Sequence, residues 1–255
     1  MGTFLFDKII FGPVASRRLG NSLGINLLPV NKKICNFDCI YCECGLTDGT
    51  KDKLPSRANV RFELEKTLAE FSSNNKPIDT ITFAGNGEPT LHKDFNGIID
   101  DTFELRNTYF PQAKIALLSN STTLGSTKIQ KAFEKIDQNI LKLDSVNPAT
   151  VELINCPIGK FNLAKTIEIL KKLPSPIIQT MFIRGSFRGK EVDNTIEQEL
   201  VPWLNTLKEI NPAMVMIYTI ARDTPFETLE KVPEEVLKEI AQRVENLGIE
   251  TQISA

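Results

Sequence analysis

Along the 255-residue chain, short apolar runs rich in Ile, Val and Leu alternate with stretches of helical period from Asp79 onward. The runs at 22–28, 79–84, 113–119, 139–144, 177–184 and 213–220 read as strands, each followed by a loop that opens on polar or glycine residues. Between and after them, 61–71, 94–108, 126–136, 162–173, 194–210 and 234–247 read as helices. Helices of this length are natural right-handed crossovers between parallel strands. The pattern predicts an α/β fold, a partial (β/α)6 TIM-like barrel of parallel strands with outer helices, two units short of the eight that close a full barrel. No compositional break or low-complexity linker interrupts it, so residues 1–255 are expected to form one domain. Within it, 1–21 reads as an N-terminal arm and 29–58 as a long loop after the first strand. Functional groups in such folds sit on loops leaving the C-terminal ends of strands.

Composition adds bounds. With 41% apolar and 24% charged residues the chain is an ordinary globular protein. It has no run of eighteen apolar residues, and Asp7 and Lys8 fall where a signal peptide needs an unbroken apolar stretch, so a cytoplasmic protein without a membrane partner is expected. The net charge of −2 is uneven. Residues 1–61 carry nine Lys/Arg against five Asp/Glu, a basic segment that either faces an anion or forms a solvated surface. Five cysteines, four of them within residues 35–44, do not make a disulfide framework without strained local bridges, and reduced thiols are expected.

The cysteines carry the first candidate chemistry. Their spacing is Cys35-x3-Cys39-x2-Cys42, with Tyr41 before the third and Cys44 two residues beyond it. Three thiolates on a short turning loop can converge on three irons of a cubane [4Fe-4S] cluster and leave the fourth iron without a protein ligand. A zinc site closed by Cys44 is an alternative, although structural zinc normally draws on two separated C-x-x-C pairs. A redox dithiol of Cys39 and Cys42 is another, and it leaves Cys35 unexplained. Cys156 reads as a buried or spare thiol.

The second strand is followed by T-F-A-G-N-G-E-P-T-L-H. Gly85 and Gly87 permit positive φ and a close backbone approach, Pro89 fixes the exit of the chain, and Glu88 supplies a carboxylate suited to an ammonium or simply an acidic turn. His92, the sole histidine, is a candidate substrate-side group or a packed side chain. Arg17 and Arg18, in the Gly/Ser-rich stretch 11–26, suit a phosphate or carboxylate, or else anchor the arm. Lys142 and Asp144 share one face of the fourth strand, where they either pair with each other or meet a ligand. Arg184 and Arg222 end the fifth and sixth strands, positioned to clamp an anion or to mark where the strand meets water.

C-N-F-D-C-I-Y-C resembles the C-x3-C-x-aromatic-C signature of the radical S-adenosylmethionine (SAM) superfamily, and G-N-G-E-P resembles its G-G-E-P motif. The resemblance implies a [4Fe-4S] cluster on Cys35, Cys39 and Cys42, with SAM chelating the open iron through its amino and carboxylate groups. It implies that Gly85, Asn86, Gly87, Glu88 and Pro89 hold the methionine amino group, with Tyr41 also at the cofactor site. Ser119 and Asn120, in a segment resembling the superfamily's T-N-G, and Lys142 and Asp144, in one resembling V-S-L-D with Lys in place of Ser, are then further SAM contacts. Met181 and Tyr218 are core positions that would also reach adenine. Reductive cleavage to methionine and a 5′-deoxyadenosyl radical follows, as does a flavodoxin- or ferredoxin-like electron donor. The opening G-P-V-A-S-R-R-L-G-N-S-L-G resembles radical SAM proteins grouped with the wyosine tRNA-base synthases, which makes a tRNA base one substrate. The second three-cysteine set of those synthases is missing, since Cys44 and Cys156 are too few. A glycine in a partner protein, as for a glycyl-radical-enzyme activase, and a small molecule are the other substrates. A non-catalytic iron-sulfur or zinc-binding module is a different class, and it leaves the loop 85–89 without a task.

Overall fold

Side chains alternate between two faces along the strands, and the two faces differ in chemistry. In the computed structural model, which describes residues 4–16, 18–50 and 52–255, strand β1 (Ile10–Ser16) runs antiparallel to β2 (Gly20–Ile25). From β2 a parallel sheet continues through β3 (Thr80–Phe83), β4 (Lys114–Ser119), β5 (Gln138–Lys142), β6 (Ile177–Met181), β9 (Met214–Tyr218) and β11 (Glu250–Ser254). Leu23, Ile25, Ile81, Phe83, Ile115, Leu117, Leu141, Ile178, Val215 and Ile217 point outward into the main core. The inner face carries small and polar residues, among them Ser22, Gly24, Thr82, Lys142 and Gln179, above a separate apolar plug of Leu19, Ala116, Ile140, Ile177 and Met216. A curled sheet with a polar interior over an apolar floor is the expected partial barrel.

The outer layer consists of α1 (Arg57–Ser73), α2 (Phe95–Tyr109), α3 (Thr127–Ala132), α4 (Pro148–Ile154), α5 (Leu163–Leu170), α6 (Glu197–Ile210) and α7 (Glu234–Glu245). Polar caps set several of their starts: Ser56 accepts from Asn59 N, Asn147 from Ala149 N and Asn162 from Lys165 N. Trp203 of α6 meets Phe182 edge-on at 5.4 Å, and Phe95 of α2 meets Phe83 at 5.9 Å, tying helices to strands through aromatic contacts. No helix among the described residues is long and apolar enough to cross a membrane.

Six βα units are present, and the structure amends their details. The fifth predicted strand breaks at Phe182, whose N–H turns to Tyr218 O at 2.8 Å. The chain then leaves the barrel as β7 (Ile183–Phe187), which joins β8 (Lys190–Asp193) and β10 (Leu229–Lys231) in a small antiparallel sheet. Strands β1 and β11 were not expected: Pro13 disguises the first, and polar residues alternate through the second.

One ion-pair network joins α1 to α2. Arg57 grips Asp101 with two bonds of 2.7 and 2.8 Å, and Arg61 adds a third at 3.1 Å. The hydrogen bonds from Arg57, ahead of the other contributions, hold the Asp101 carboxyl below its ordinary range. Asp101→Asn is expected to cost about 1–2 kcal/mol at neutral pH. A depressed folded-state pKa makes this contribution fully present above the unfolded value of about 3.9 and lost as pH falls through the folded value. Urea unfolding of both proteins should therefore show a gap near neutrality that closes in acid, and a gap that persists in acid would refute the assignment.

Candidate active site

The chain between β2 and α1 carries Cys35, Cys39, Cys42 and Cys44, and backbone hydrogen bonds secure it at two margins. On one side Ile34 N donates to Asn86 O at 2.9 Å and Glu88 N donates to Ile34 O at 3.1 Å. On the other, Asp38 N donates to Cys156 O, Ile40 N to Ile154 O and Ile158 N to Asn36 O, at 2.8–3.1 Å. Gly87, at φ +132°, lies so close that a Cβ would sit 1.9 Å from the Ile34 carbonyl oxygen. The seat therefore requires glycine.

Cys35, Cys39, Cys42 and Cys44 open onto a cavity of about 200 Å³ together with Gly85, Gly87 and Glu88. Ser119, Asn120, Tyr41 and Lys142 complete its walls. Asn120 donates to Cys35 Sγ at 3.4 Å and Asn155 to Cys39 Sγ at 3.4 Å. Burial pushes the Cys35 thiol up to about 12 and the Cys39 thiol up to about 11. A hydrogen bond from Cys44 brings Cys42 down to about 6, and the same bond raises Cys44. Lys33 is 3% exposed, donates to Gly45 O at 2.9 Å and to Asp38 at 3.2 Å. Burial alone would lower its pKa, but the charges of Cys42, Cys35, Cys39 and Asp38 raise it, so a buried cation faces the thiols. Among the described residues no three His, Cys, Asp or Glu side chains are grouped to hold a single metal ion.

Glu88 is 2% exposed and well supplied with donors. Its Oε1 accepts from Thr90 N, Thr90 Oγ1 and Ser119 Oγ, while Oε2 accepts only from Asn120 N at 2.6 Å. Burial nevertheless raises its pKa. Lys142 donates to Tyr41 OH at 2.9 Å and Tyr218 OH at 3.0 Å and lies 3.6 Å from Asp144. Burial would lower its pKa, but Asp144, Tyr218 and Cys39 together more than reverse this. Asp144 sits one layer behind: it takes hydrogen bonds from Tyr41 OH, Asn155 Nδ2 and Met181 N and does not line the cavity.

Several expected contacts lie elsewhere. Asn86 is wholly buried with its amide on the arm and the long loop, accepting from Phe6 N and donating to Phe6 O and Pro29 O, because its side chain turns away from the cysteines. Pro89 opens a single 3₁₀ turn and shapes the exit of the loop without lining the cavity. His92 is 3% exposed, accepts from Asp94 N on Nδ1 and so donates from Nε2 to Pro55 O; it is a packed side chain. Arg184 leaves the barrel with β7 and pairs with Asp193 at 3.1 Å in the small sheet. Arg17 lies outside the described residues.

A second cavity, about 490 Å³, occupies the barrel interior and shares Ala84 and Leu118 with the first. Met181 and Tyr218 line it, as do Arg18 and Arg222. Arg222 stands at its rim, paired with Glu43 at 2.7 Å. Sequence reasoning missed Lys33, Asn155 and the closing of this cavity by Phe6 and Phe11; only the second lysine of K-K-I-C signalled the first of these.

Parallel strands delivering three cysteines and a glycine-rich acidic loop to one cavity define a cofactor-binding class of partial barrel. A sequence profile of the Radical SAM superfamily matches residues 33–197, and the chain belongs to that superfamily. It is 32% identical over 234 residues to a UPF0026 protein of Helicobacter pylori, covering 90% of this chain and 72% of that one. It is 31% identical over 250 residues to a Brachyspira hyodysenteriae protein named GTPase Obg, covering 98% of this chain but 35% of the relative. This chain thus spans about a third of that relative, and it contains no G-x-x-x-x-G-K-S/T phosphate loop. In architecture it is similar to a radical SAM methyltransferase from Sphaerobacter thermophilus, with a TM-score of 0.64 at 13% identity over 91% of this chain and 65% of the other.

Proposed function

We propose that the protein is a radical SAM enzyme whose [4Fe-4S] cluster is held by Cys35, Cys39 and Cys42. The observation that carries this reading is the convergence of these three thiols and the Gly85–Glu88 loop on one cavity that continues into the barrel interior. The donor set fits a cubane, which spreads three cysteines over three irons instead of gathering them on one ion. Held by these three cysteines, the cluster would supply the electron for reductive cleavage of SAM and so the radical chemistry of hydrogen abstraction.

The chain's own residues would do the remaining work. Lys33, the buried cation beside these cysteines, would offset their negative charge once they bind as thiolates. Glu88 Oε2 keeps a lone pair free beyond its bond to Asn120, and with the Gly85 carbonyl it suits the methionine ammonium. Lys142 offers its third N–H to the carboxylate, while Asp144, through Lys142 and Tyr41, positions both. A flavodoxin- or ferredoxin-like protein would supply the electron. The opening motif resembles that of the wyosine group, whose substrate is a tRNA base, but the chain lacks the cysteines for a second cluster, so the motif does not by itself assign the substrate.

Anaerobically reconstituted protein, reduced with dithionite, is expected to convert SAM to 5′-deoxyadenosine and methionine, slowly even without substrate. A colourless protein carrying one zinc would overturn the proposal.

A further inference from the structure

The inner cavity contains a cation with no counter-ion. Arg18 rises from the β1–β2 turn beside the apolar plug residue Leu19, and its guanidinium lies 5.2 Å from the Tyr218 ring centre. Among the described residues the guanidinium's one hydrogen-bonding partner is the Gln179 side-chain oxygen, at a long 3.4 Å. Among the described residues no carboxylate forms an ion pair with it. The one acid lining the cavity, Glu43, is taken by Arg222. Across the same tyrosine, Lys142 Nζ lies 5.6 Å from the ring centre, so positive charge approaches the cavity from a second direction. Arg18 is half-buried, and a half-buried guanidinium without a carboxylate partner keeps donors free for an anionic ligand.

Ser254 also lines this cavity. Elsewhere the walls combine Phe11, Gly24, Ala84, Leu118 and Met181 with the hydroxyl residues Ser16, Ser22, Thr82 and Thr219. Phe6 and Phe11, stacked at 3.7 Å, close one side, and Asn86 holds Phe6 by both its backbone N–H and its carbonyl. A volume of about 490 Å³ lies within the ordinary range of small-molecule sites.

We infer that the substrate is a small molecule with a carboxylate or phosphate group, which Arg18 binds inside the barrel. This deepens the radical SAM reading and rests on it for the word substrate. The anion would sit against Arg18 and the Tyr218 face, and the atom that loses hydrogen would lie toward Ala84 and Leu118, the walls shared with the cysteine cavity.

The test uses cluster-free full-length protein without SAM, so its failure leaves the 5′-deoxyadenosine assay untouched. Inorganic phosphate and malonate are titrated at constant ionic strength, with binding followed by calorimetry. Saturable binding of either probe to the wild type is expected, malonate marking a carboxylate substrate and phosphate a phosphate ester. Arg18→Gln should weaken that binding at least about tenfold, Arg18→Lys should recover part of it, and Arg188→Gln, in the small sheet, should leave it unchanged. Equal binding by wild type and Arg18→Gln would overturn the proposal, as would absence of saturable binding of both probes or binding of tRNA alone.

Discussion

Cys39→Ala protein is expected to lose its cluster iron on anaerobic reconstitution and to fall to background in SAM cleavage, while Cys44→Ala protein keeps both. Cys39 is 6% exposed, takes a hydrogen bond from Asn155 and lies within the field of the Lys142 ammonium. No other described donor stands at that place. Cys44 lines the same cavity, but its Sγ is directed at the Gly85 carbonyl, 3.6 Å away, and shares a hydrogen bond with Cys42. Its thiol is thus a neighbour of one ligand and not a substitute for another. Iron content and the visible absorption of the two variants check this, and the reverse pattern would show that the ligand set is wrongly chosen.

Gly87→Ala is the second large effect. The new Cβ would meet the Ile34 carbonyl oxygen at 1.9 Å and its carbon at 2.5 Å, backbone atoms that cannot swing aside, at a φ of +132° that alanine rarely adopts. A loss of about 3 kcal/mol is expected from strain and clash together. Gly49, with φ +74° and open space around it, provides the comparison, for which Gly49→Ala should cost only about 1 kcal/mol. Urea unfolding separates the two. A Gly87→Ala protein as stable as the Gly49→Ala protein would mean that the cysteine loop and the glycine loop do not meet as described.

The barrel was legible in the sequence because its strands place apolar residues at every second position or in short runs and its helices keep their period, as 79–84 against Thr80–Phe83 and 94–108 against Phe95–Tyr109 attest. What escaped was decided by tertiary contact. Arg184 reads as the end of a barrel strand, and only the break at Phe182 carries it into another sheet. Asn86 sits inside a cofactor-like motif, yet the approach of Phe6 and Pro29 claims its amide. Lys142 and Asp144 were expected on one strand face, but the strand ends at Lys142, and Asp144 beyond it is engaged by Tyr41, more than a hundred positions away in sequence. Spacing along the chain brings out the cysteines and glycines; it carries no information about which buried amide or ammonium arrives from another element.

The cysteine loop is stitched at both margins by main-chain hydrogen bonds, Ile34 to Asn86 and Glu88 on one side and Asn36, Asp38 and Ile40 to residues 154–158 on the other, to which Asn86 and Asn120 add side-chain bonds. Residue identity hardly enters such stitches. Side chains interleaved among the thiols can therefore be exchanged without moving those stitches, and the opposite wall of the cavity can be reshaped while the path of the cysteine loop is kept.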